Sequence, residues 1–276
     1  MSGTRTSTII QTAMKPRSTP WTWVRGLLTV IWLPTLLVLL WWIASAEGTS
    51  ASFPPLSDIV VALDRMWFFE MFWTDFVPSA LLVLQSLVLA TMIGVVLGVL
   101  IGFNDTAERA MRPLLDFIRG IPKVLLISPA LVILGVGTGL MMFVLTFGAI
   151  WPILLGTIDG IRGIPSQLHD LRRSYRLTRA TWLFRIAVPA ASPSIIAGIR
   201  TSLAIVIVLL VPAQAVGATD GLGFQLRMAN DAFRFPDVWA TAIMFALLGY
   251  ALNVLLLGVI ERRALSWFHA RGGANS

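Results

Sequence analysis

The segment DLRRSYRLTRATWLFRIAVP, which runs from Asp170 to Pro189, is the longest strongly charged stretch that lies between two strongly apolar blocks of the chain. It contains five arginines, namely Arg172, Arg173, Arg176, Arg179 and Arg185. Positive charge between apolar runs is typical of a loop on the cytoplasmic side of a membrane. The segment therefore predicts a surface that is held beside a membrane and presented to something in the aqueous phase.

Capping residues divide this region into two short helices. Ser166 is placed to cap the first, with Asp170 in its opening turns, where a carboxylate suits the positive end of a helix. Thr178 is placed to cap a second helix. The apolar residues of this second helix are Trp182, Leu183 and Ile186. Pro189 and Pro193 are expected to stop it, because proline lacks the N–H that continues a helix.

The composition is that of an integral membrane protein. Of the 276 residues, 57% are hydrophobic and 13% are charged, with a mean hydropathy of +0.81, whereas a soluble domain averages about 25% charged residues. The net charge of +7 is spread over loops between apolar runs, which favours a positive-inside topology over a nucleic-acid-binding surface. The absence of cysteine excludes disulfides and thiolate metal sites, and two histidines, His169 and His269, are too few for a His-rich metal site.

Apolar runs predict an all-α membrane protein with six transmembrane helices. The predicted transmembrane domain covers 26–260, with spans at 26–46, 80–103, 124–136, 139–158, 195–216 and 238–260, between tails of residues 1–25 and 261–276. Residues 124–158 carry no charge and exceed the ~20 residues of one span, so the glycines of 135–139 are expected to break them into a hairpin. Ala44–Ala46 resembles a signal-peptidase site, but the first apolar run is longer than the roughly 7–15 residues of a signal peptide.

The charge distribution orients these spans. With both tails, residues 104–123 and residues 159–200 inside, the inner segments carry 18 Lys and Arg residues, and the outer segments 47–78 and 217–237 carry 3. A single span over 124–158 would instead place the arginine-rich loop, residues 159–194, outside. The asymmetry favours two spans there and places both termini in the cytoplasm.

The arginine-rich segment resembles the EAA loop of binding-protein-dependent ABC importer permeases, whose pattern is E-A-A, three residues, G, nine residues and I-x-L-P. Asp170, Leu171 and Arg172 occupy the E-A-A places, Arg176 the glycine place, and Ile186, Val188 and Pro189 the I-x-L-P places. The spacing fits throughout, whereas both alanines and the glycine are replaced. The resemblance implies a type I ABC importer fold in which this loop is the coupling helix that docks on an ATP-binding subunit.

Three further segments, Phe53–Ser57, Arg119–Pro122 and Gly221–Phe224, resemble nitrate, sulfonate and taurine permeases, so that the likeness covers roughly residues 53–268. It implies as partners two ATPase subunits that bind ATP and Mg²⁺, a second permease chain, an extracytoplasmic solute-binding protein and the lipid bilayer. It implies no cofactor on this chain and no nucleic acid. The implied location is the cytoplasmic (inner) membrane of a bacterium, and the implied cargo is a small anion such as a sulfonate or nitrate, or a nutrient resembling a thiamine precursor.

The candidate site residues fall into three groups. Those implied for ATPase coupling are Asp170, Leu171, Arg172, Arg173, Arg176, Ile186 and Pro189. The arginines among them either pair with acidic residues of the ATPase or only fix topology and meet anionic lipid. The candidates for the translocation pathway are Gln85, Ser128, Pro212, Gln214 and Asn253, of which the polar ones fit helix–helix hydrogen bonds as well. A repeat of every fourth residue, Gly94, Gly98 and Gly102, predicts a face for close helix packing.

No catalytic set accompanies these residues. The chain has no G-x-x-x-x-G-K-[ST], G-x-S-x-G or HExxH motif and no paired carboxylates in its predicted spans. The predicted function is therefore that of a non-catalytic permease subunit. An ion- or proton-coupled secondary transporter is the alternative, although such carriers keep ionisable residues within their spans. A membrane enzyme is a second rival, for which His169 and Ser128 form the best available pair.

Overall fold

The computed structural model of the chain describes residues 20–45, 52–67, 71–254 and 258. Every regular element in this part of the chain is helical, which confirms the all-α fold class. The chain divides by its internal contacts into two compact units, Met1–Leu56 and Ser57–Ser276. The predicted tail 261–276 and most of the tail 1–25 lie outside the described residues.

Helix α1, Pro20–Ser45, contains the first predicted span, 26–46, up to its last described residue. It is 26 residues long, with Pro34 inside it, and extends about 39 Å at 1.5 Å per residue. Farther along the same unit, Phe53 meets Trp41 edge-on, with ring centroids 6.2 Å apart.

Helix α2, Leu56–Trp67, is amphipathic and buries one face. Its buried residues include Ile59, Ala62 and Met66. Arg65 on the same helix lies 2.5 Å, Nη2 to Oδ1, from Asp237. Because Asp237 stands in the first turn of helix α11, Phe235–Leu252, its carboxylate is also favoured by the helix dipole. The ion pair ties α2 to the start of α11.

Three long helices form the centre of the second unit. They are α3 (Val77–Gly102), α6 (Thr138–Arg162) and α9 (Val188–Gly217). Helix α6 makes extensive contacts with both α3 and α9. Its residues Val144 and Leu145 are fully buried, so the hydrophobic core lies along α6.

Glycines allow the close approach of helices on both sides of α6. The three repeated glycines Gly94, Gly98 and Gly102 lie opposite Ile153, Thr157 and Ile161 of α6. A Cβ at Gly98 would lie 2.5 Å from the Cβ of Thr157 and 2.9 Å from the carbonyl oxygen of Leu154. On the α9 side, a Cβ at Gly198 would lie 2.6 Å from the carbonyl oxygen of Pro152. Both interfaces therefore depend on the absence of a side chain.

The region of the third predicted span, 124–136, is a broken helix. Helix α4 (Asp105–Gly120) is followed by a 3₁₀ turn, Lys123–Leu126, and by α5, Ile127–Leu134, with a bend of 86° after α4. The 3₁₀ turn and α5 are four and eight residues long and together reach about 20 Å. That length is short of the ~30 Å hydrocarbon core, and the short span that was predicted for 124–136 stays a prediction.

Local chemistry explains both breaks around α5. Pro122 lacks an N–H and holds Ile121 in the extended conformation, with ψ 126°, which ends α4. Between α5 and α6 the chain breaks at the predicted glycine cluster, where Gly135 and Gly137 have φ values of +71° and +138°. The Gly137 N–H donates to the carbonyl of Gly217 at 2.8 Å, which ties this turn to the end of α9.

Helix α10, Leu222–Asp231, packs against α9 and α11. The sixth predicted span, 238–260, begins within α11, and residues 255–257, 259 and 260 lie outside the described part. Among the described residues, the helices that are long and apolar enough to cross a membrane are Phe72–Gly102, Thr138–Arg162, Arg179–Gly217 and Phe235–Leu252. The bent pair of α4 with Lys123–Leu134 would be a fifth if it forms one span. The total of six spans stays a prediction.

Candidate functional site

The arginine-rich segment folds as a helix–turn–helix between α6 and α9. Helices α7 (Ser166–Ser174) and α8 (Arg179–Trp182) flank a short turn. Thr178 caps α8, since its Oγ1 accepts the N–H of Thr181 at 3.2 Å. Ser166 is the first helical residue of α7 and not its cap; Pro165 precedes it, and no side chain caps that end.

Arg176 ends α7 in the left-handed conformation, with φ +48°. Its N–H donates to the carbonyl of Arg173 at 3.2 Å, and the N–H of Leu177 donates to the carbonyl of Arg172 at 3.1 Å. This pair of bonds is the helix-ending motif that a glycine usually completes. The glycine place of the EAA pattern is therefore a left-handed position, which arginine fills here at a cost of about 1–2 kcal/mol.

Replacing Arg176 with glycine is expected to stabilise the loop by about 0.5–1 kcal/mol. Glycine relieves the strain of the left-handed conformation, and part of that gain is offset because glycine has more conformational entropy in the unfolded chain. Arg173→Gly is the matched control, and it should destabilise the loop by about 1 kcal/mol because residue 173 is helical. Hydrogen–deuterium exchange of the loop amides should slow in R176G and quicken in R173G. Faster exchange in both variants would contradict a strain at Arg176.

Trp182 anchors the loop to the membrane helices. Its side chain is 2% exposed, and the guanidinium carbon of Arg172 lies 5.7 Å from its ring centroid. A groove beside the ring is also lined by Val99 and Phe103 at the inner end of α3. The cation–π contact and the buried ring fix α7 against α8. The sequence marks Trp182 only as an apolar residue of the second helix, so its anchoring role was missed.

The residues expected to couple to an ATPase divide between two places. Asp170, Leu171, Arg173 and Arg176 are exposed on the loop. Arg172, also on α7, is half-buried, as are Ile186, just before α9, and Pro189, in its first turn. Arg172, Arg173 and Arg176 line one concavity. Within the part of the chain that the structure describes, no carboxylate forms an ion pair with any of these three arginines. The concavity is an exposed cationic surface, and its charge is complementary to that of an acidic partner.

Pro189 and Pro193 do not stop the second helix, and that prediction was wrong. The helix runs without interruption through Arg179–Gly217. Over Leu183–Ala187 it widens to a π-type turn, and the N–H of Val188 donates to the carbonyl five residues back. A turn of this kind accommodates a local disruption without ending the helix. The loop helix α8 is therefore continuous with α9.

The position of Arg200 changes with this correction. The fifth span was predicted to start at residue 195, which placed Arg200 near its inner end, but α9 begins at Val188. Ser202, two residues farther on, donates to the carbonyl of Ala149 at 2.6 Å, and Ala149 is near the middle of α6. Arg200, which is exposed, therefore lies partway along α9 and not at its inner end.

The five candidates for the translocation pathway do not form one cluster. Gln85, Ser128 and Asn253 are exposed, Pro212 is half-buried and Gln214 is 3% exposed. No hydrogen bond joins any two of these side chains in the described residues. Ser128 and His169, the pair that a membrane enzyme would need, belong to different elements, α5 and α7.

A buried polar network at the opposite end of α9 contains Gln214. Three consecutive N–H groups at the start of α10 donate to three buried side chains: Gly221 to Asp75 Oδ1 (2.6 Å), Leu222 to Ser79 Oγ (3.1 Å) and Gly223 to Gln214 Oε1 (2.9 Å). The Gln214 Nε2 group also donates to Ser79 Oγ at 2.9 Å. Because a helix N-terminus carries partial positive charge, the Asp75 carboxylate is favoured there. The network fixes α10 to α3 and α9, and Gln214 acts within it as a helix-holding residue.

Asp75→Ala is expected to destabilise the chain by about 2–3 kcal/mol, because the buried N–H of Gly221 loses its acceptor. The Nε2 group of Gln225, which donates to Asp75 Oδ1 at 3.0 Å, also loses its partner. The control is Asp58→Ala on α2, where the carboxylate is exposed and the loss should stay within about 0.5 kcal/mol. Thermal unfolding of the purified chain in one detergent checks both, and equal shifts would contradict a structural role for Asp75.

Comparison with known proteins gives consistent matches along the chain. Residues 90–264 match the family model described as "Binding-protein-dependent transport system inner membrane component". The permease SsuC of Bacillus subtilis (strain 168), whose name assigns it provisionally to aliphatic sulfonates transport, is 26% identical over 94% of this chain and 93% of SsuC. The taurine transport system permease protein TauC of Escherichia coli (strain K12) is 23% identical over 95% of this chain and 98% of TauC.

A solved structure shares the fold. The MetNI methionine ABC transporter in an inward-facing conformation (CY5 native crystal form) aligns with a TM-score of 0.56 and 22% sequence identity, over 70% of this chain and 97% of that chain. The likeness confirms the type I importer fold that was expected from the sequence.

Proposed function

Because the chain belongs to the family of binding-protein-dependent transport system inner membrane components, we propose an assembly and a cargo for it. The chain is the permease subunit of an ABC importer, a multi-pass membrane protein that is not itself catalytic. Such permeases work with ATPase and binding-protein partners. The proposed assembly has two permease chains, two ATPase subunits and one extracytoplasmic binding protein in the cytoplasmic (inner) membrane of a bacterium, with both permease termini in the cytoplasm.

The observation that carries the coupling role is the continuity between the arginine loop and α9. An ATPase docked on the concavity of Arg172, Arg173 and Arg176 would move α7 and α8 together, because Trp182 holds them to each other. Since α8 and α9 are one helix, that movement would reach the membrane core as a rigid-body shift. ATP and Mg²⁺ are proposed to bind to the partner ATPases and to supply the energy.

The proposed cargo is a small anion such as a sulfonate or nitrate. The names of SsuC and TauC, which match nearly the whole chain, support this class. Selection of the individual anion is assigned to the separate binding protein.

Docking is tested by purifying the tagged chain in mild detergent from its native membrane and by crosslinking. The chain has no cysteine, so Ala180→Cys places a single thiol on the exposed face of α8. We expect a stoichiometric P-loop ATPase to co-purify and to crosslink to this cysteine. Val132→Cys on α5, where the side chain is 87% exposed, is the matched control and should not crosslink to the ATPase.

Cargo is tested by reconstituting the chain with the co-purified ATPase and binding protein in phosphatidylcholine vesicles. ATP-dependent uptake of labelled taurine, methanesulfonate or nitrate is the expected result. A chain that purifies alone, leaves the cysteine at 180 freely reactive and takes up solute without any ATPase would contradict the proposal. That outcome would support the ion- or proton-coupled carrier instead.

A further inference from the structure

Lys123 lies beside the middle of α6, a helix that is long and apolar enough to cross a membrane. Its Cγ lies 3.8 Å from the position that a Cβ on Gly148 would take, so its side chain rests against α6. Gly148 is about 15 Å along the helix axis from Thr138 and about 21 Å from Arg162, at 1.5 Å per residue. Gly148 is also central in the predicted span 139–158. The sequence pattern had assigned Lys123 to the inner loop 104–123, and the bend after α4 carries it deeper.

The ammonium group of Lys123 is only partly engaged by the protein. Its Nζ donates to the carbonyl of Arg119 and to that of Ile118, the latter at 3.4 Å. These carbonyls end α4, where the helix dipole favours a cation. A lysine ammonium has three N–H donors, and no carboxylate forms an ion pair with Lys123 among the residues that the structure describes. One of its three N–H donors therefore has no acceptor among the described residues.

A charge and a broken helix at this depth are unsuited to contact with lipid. An isolated lysine at the bilayer centre costs about 2.5–3.5 kcal/mol even on insertion scales. Non-helical backbone such as Ile121–Pro122 is tolerated at membrane depth only inside protein or beside a water-filled cavity. Lys123 is partly exposed in the single chain, and the same two costs favour a position of its exposed surface beside water or protein in the assembled transporter. In secondary transporters, cargo binds near the bilayer midplane beside discontinuous helices, and the broken segment around Lys123 offers a similar arrangement.

We propose that Lys123 binds the anionic group of the cargo midway across the membrane. This inference rests on the proposed function and adds the residue that would make passage depend on negative charge. An oxyanion such as a sulfonate or nitrate would accept the third N–H of the ammonium, and the interaction would be a charge-assisted hydrogen bond. A single contact of this kind favours entry of an anion and still allows its release.

The experiment replaces Lys123 with cysteine and then rebuilds the charge chemically. Because the chain has no other cysteine, the purified permease is modified before it is assembled with its ATPase and binding protein. Modification with 2-aminoethyl methanethiosulfonate restores an ammonium at nearly the length of lysine, and the 2-hydroxyethyl reagent adds a neutral group of similar size. ATP-dependent methanesulfonate, taurine and nitrate uptake is measured together with ATP hydrolysis stimulated by the binding protein.

Uptake is expected to fall about tenfold or more in K123C, as for the loss of one charge-assisted hydrogen bond, while stimulated ATP hydrolysis persists. The aminoethyl group should restore most of the uptake, and the hydroxyethyl group should not. K123Q keeps an N–H for the carbonyls of α4 but loses the charge, so its uptake should fall equally. Arg109→Gln, at an exposed residue near the inner end of the same helix, is the control and should leave uptake within about twofold of the unmodified chain.

Several results would overturn the inference. The inference fails if K123C or K123Q retains uptake, or if the hydroxyethyl group restores uptake as well as the aminoethyl group does. It also fails if the cysteine at 123 does not react with the water-soluble reagents. If both uncharged variants fail to assemble with the ATPase while K123R assembles, the ammonium serves only to end α4. If the unmodified transporter takes up none of the three anions, both the proposed cargo and this inference are wrong. If ATP-driven uptake survives without the charge at residue 123, only this inference is wrong.

Discussion

Replacing Gly98 with valine is expected to separate α3 from α6 and to lower the stability of the chain by about 3 kcal/mol. The added Cβ would lie 2.5 Å from the Cβ of Thr157 and 2.9 Å from the carbonyl oxygen of Leu154. Thr157 is fully buried and its hydroxyl donates to the carbonyl of Ile153, so it has no room to turn away. The backbone carbonyl of Leu154 is itself part of α6, and only a shift of the whole helix would relieve the contact.

Gly139→Val is the matched control, because a Cβ at Gly139 meets nothing within 4 Å. Thermal unfolding and the yield of assembled permease should fall sharply in G98V and little in G139V. Equal losses would show that the glycines matter for helix flexibility and not for contact. We expect G98V to impair transport as well, because the inner end of α3 lines the groove beside Trp182. An α3 displaced from α6 would therefore loosen the loop as well as the core.

Apolar runs and the distribution of charge were enough to predict the helical membrane fold, because both follow from the cost of polar groups in hydrocarbon. The cluster at Gly135–Gly139 correctly placed the break before α6. The prediction that proline ends a helix failed where neighbouring groups compensate for the missing N–H. Pro189 and Pro193 remain inside a helix because a widened turn precedes them and the hydroxyl of Ser192 donates to the carbonyl of Pro189 at 2.9 Å.

Contacts between distant residues were beyond the reach of the sequence pattern. Asp75 and Gly221 are 146 residues apart in the chain and meet at 2.6 Å, so Gln214 was taken only as a pathway candidate and Asp75 was overlooked. The depth of Lys123 depends on the angle between α4 and the following segment, which Pro122 permits but does not determine. A signal for Lys123 was nevertheless present, since a lone lysine stands directly before a long uncharged run.

Replacing Trp182 with alanine is expected to uncouple the loop from the membrane helices. Removing a buried tryptophan costs about 3–5 kcal/mol, and here the cost falls on the contact that holds α7 to α8. The loop should then open locally, and ATP-dependent uptake should fall about tenfold or more as the rigid path into α9 is lost. Trypsin, which cuts after arginine, should cleave the loop faster in W182A than in the unmodified chain.

Phe184→Ala is the control for this experiment, since Phe184 lies two residues away and is 71% exposed. Its loss should leave both cleavage and uptake within about twofold of the unmodified chain. W182A keeps all five arginines of the loop and changes only how they are held. If these arginines merely fix topology or meet anionic lipid, uptake should survive in W182A, because their number and charge are unchanged. If they dock on an ATPase as a shaped surface, uptake and co-purification of the ATPase should fall together.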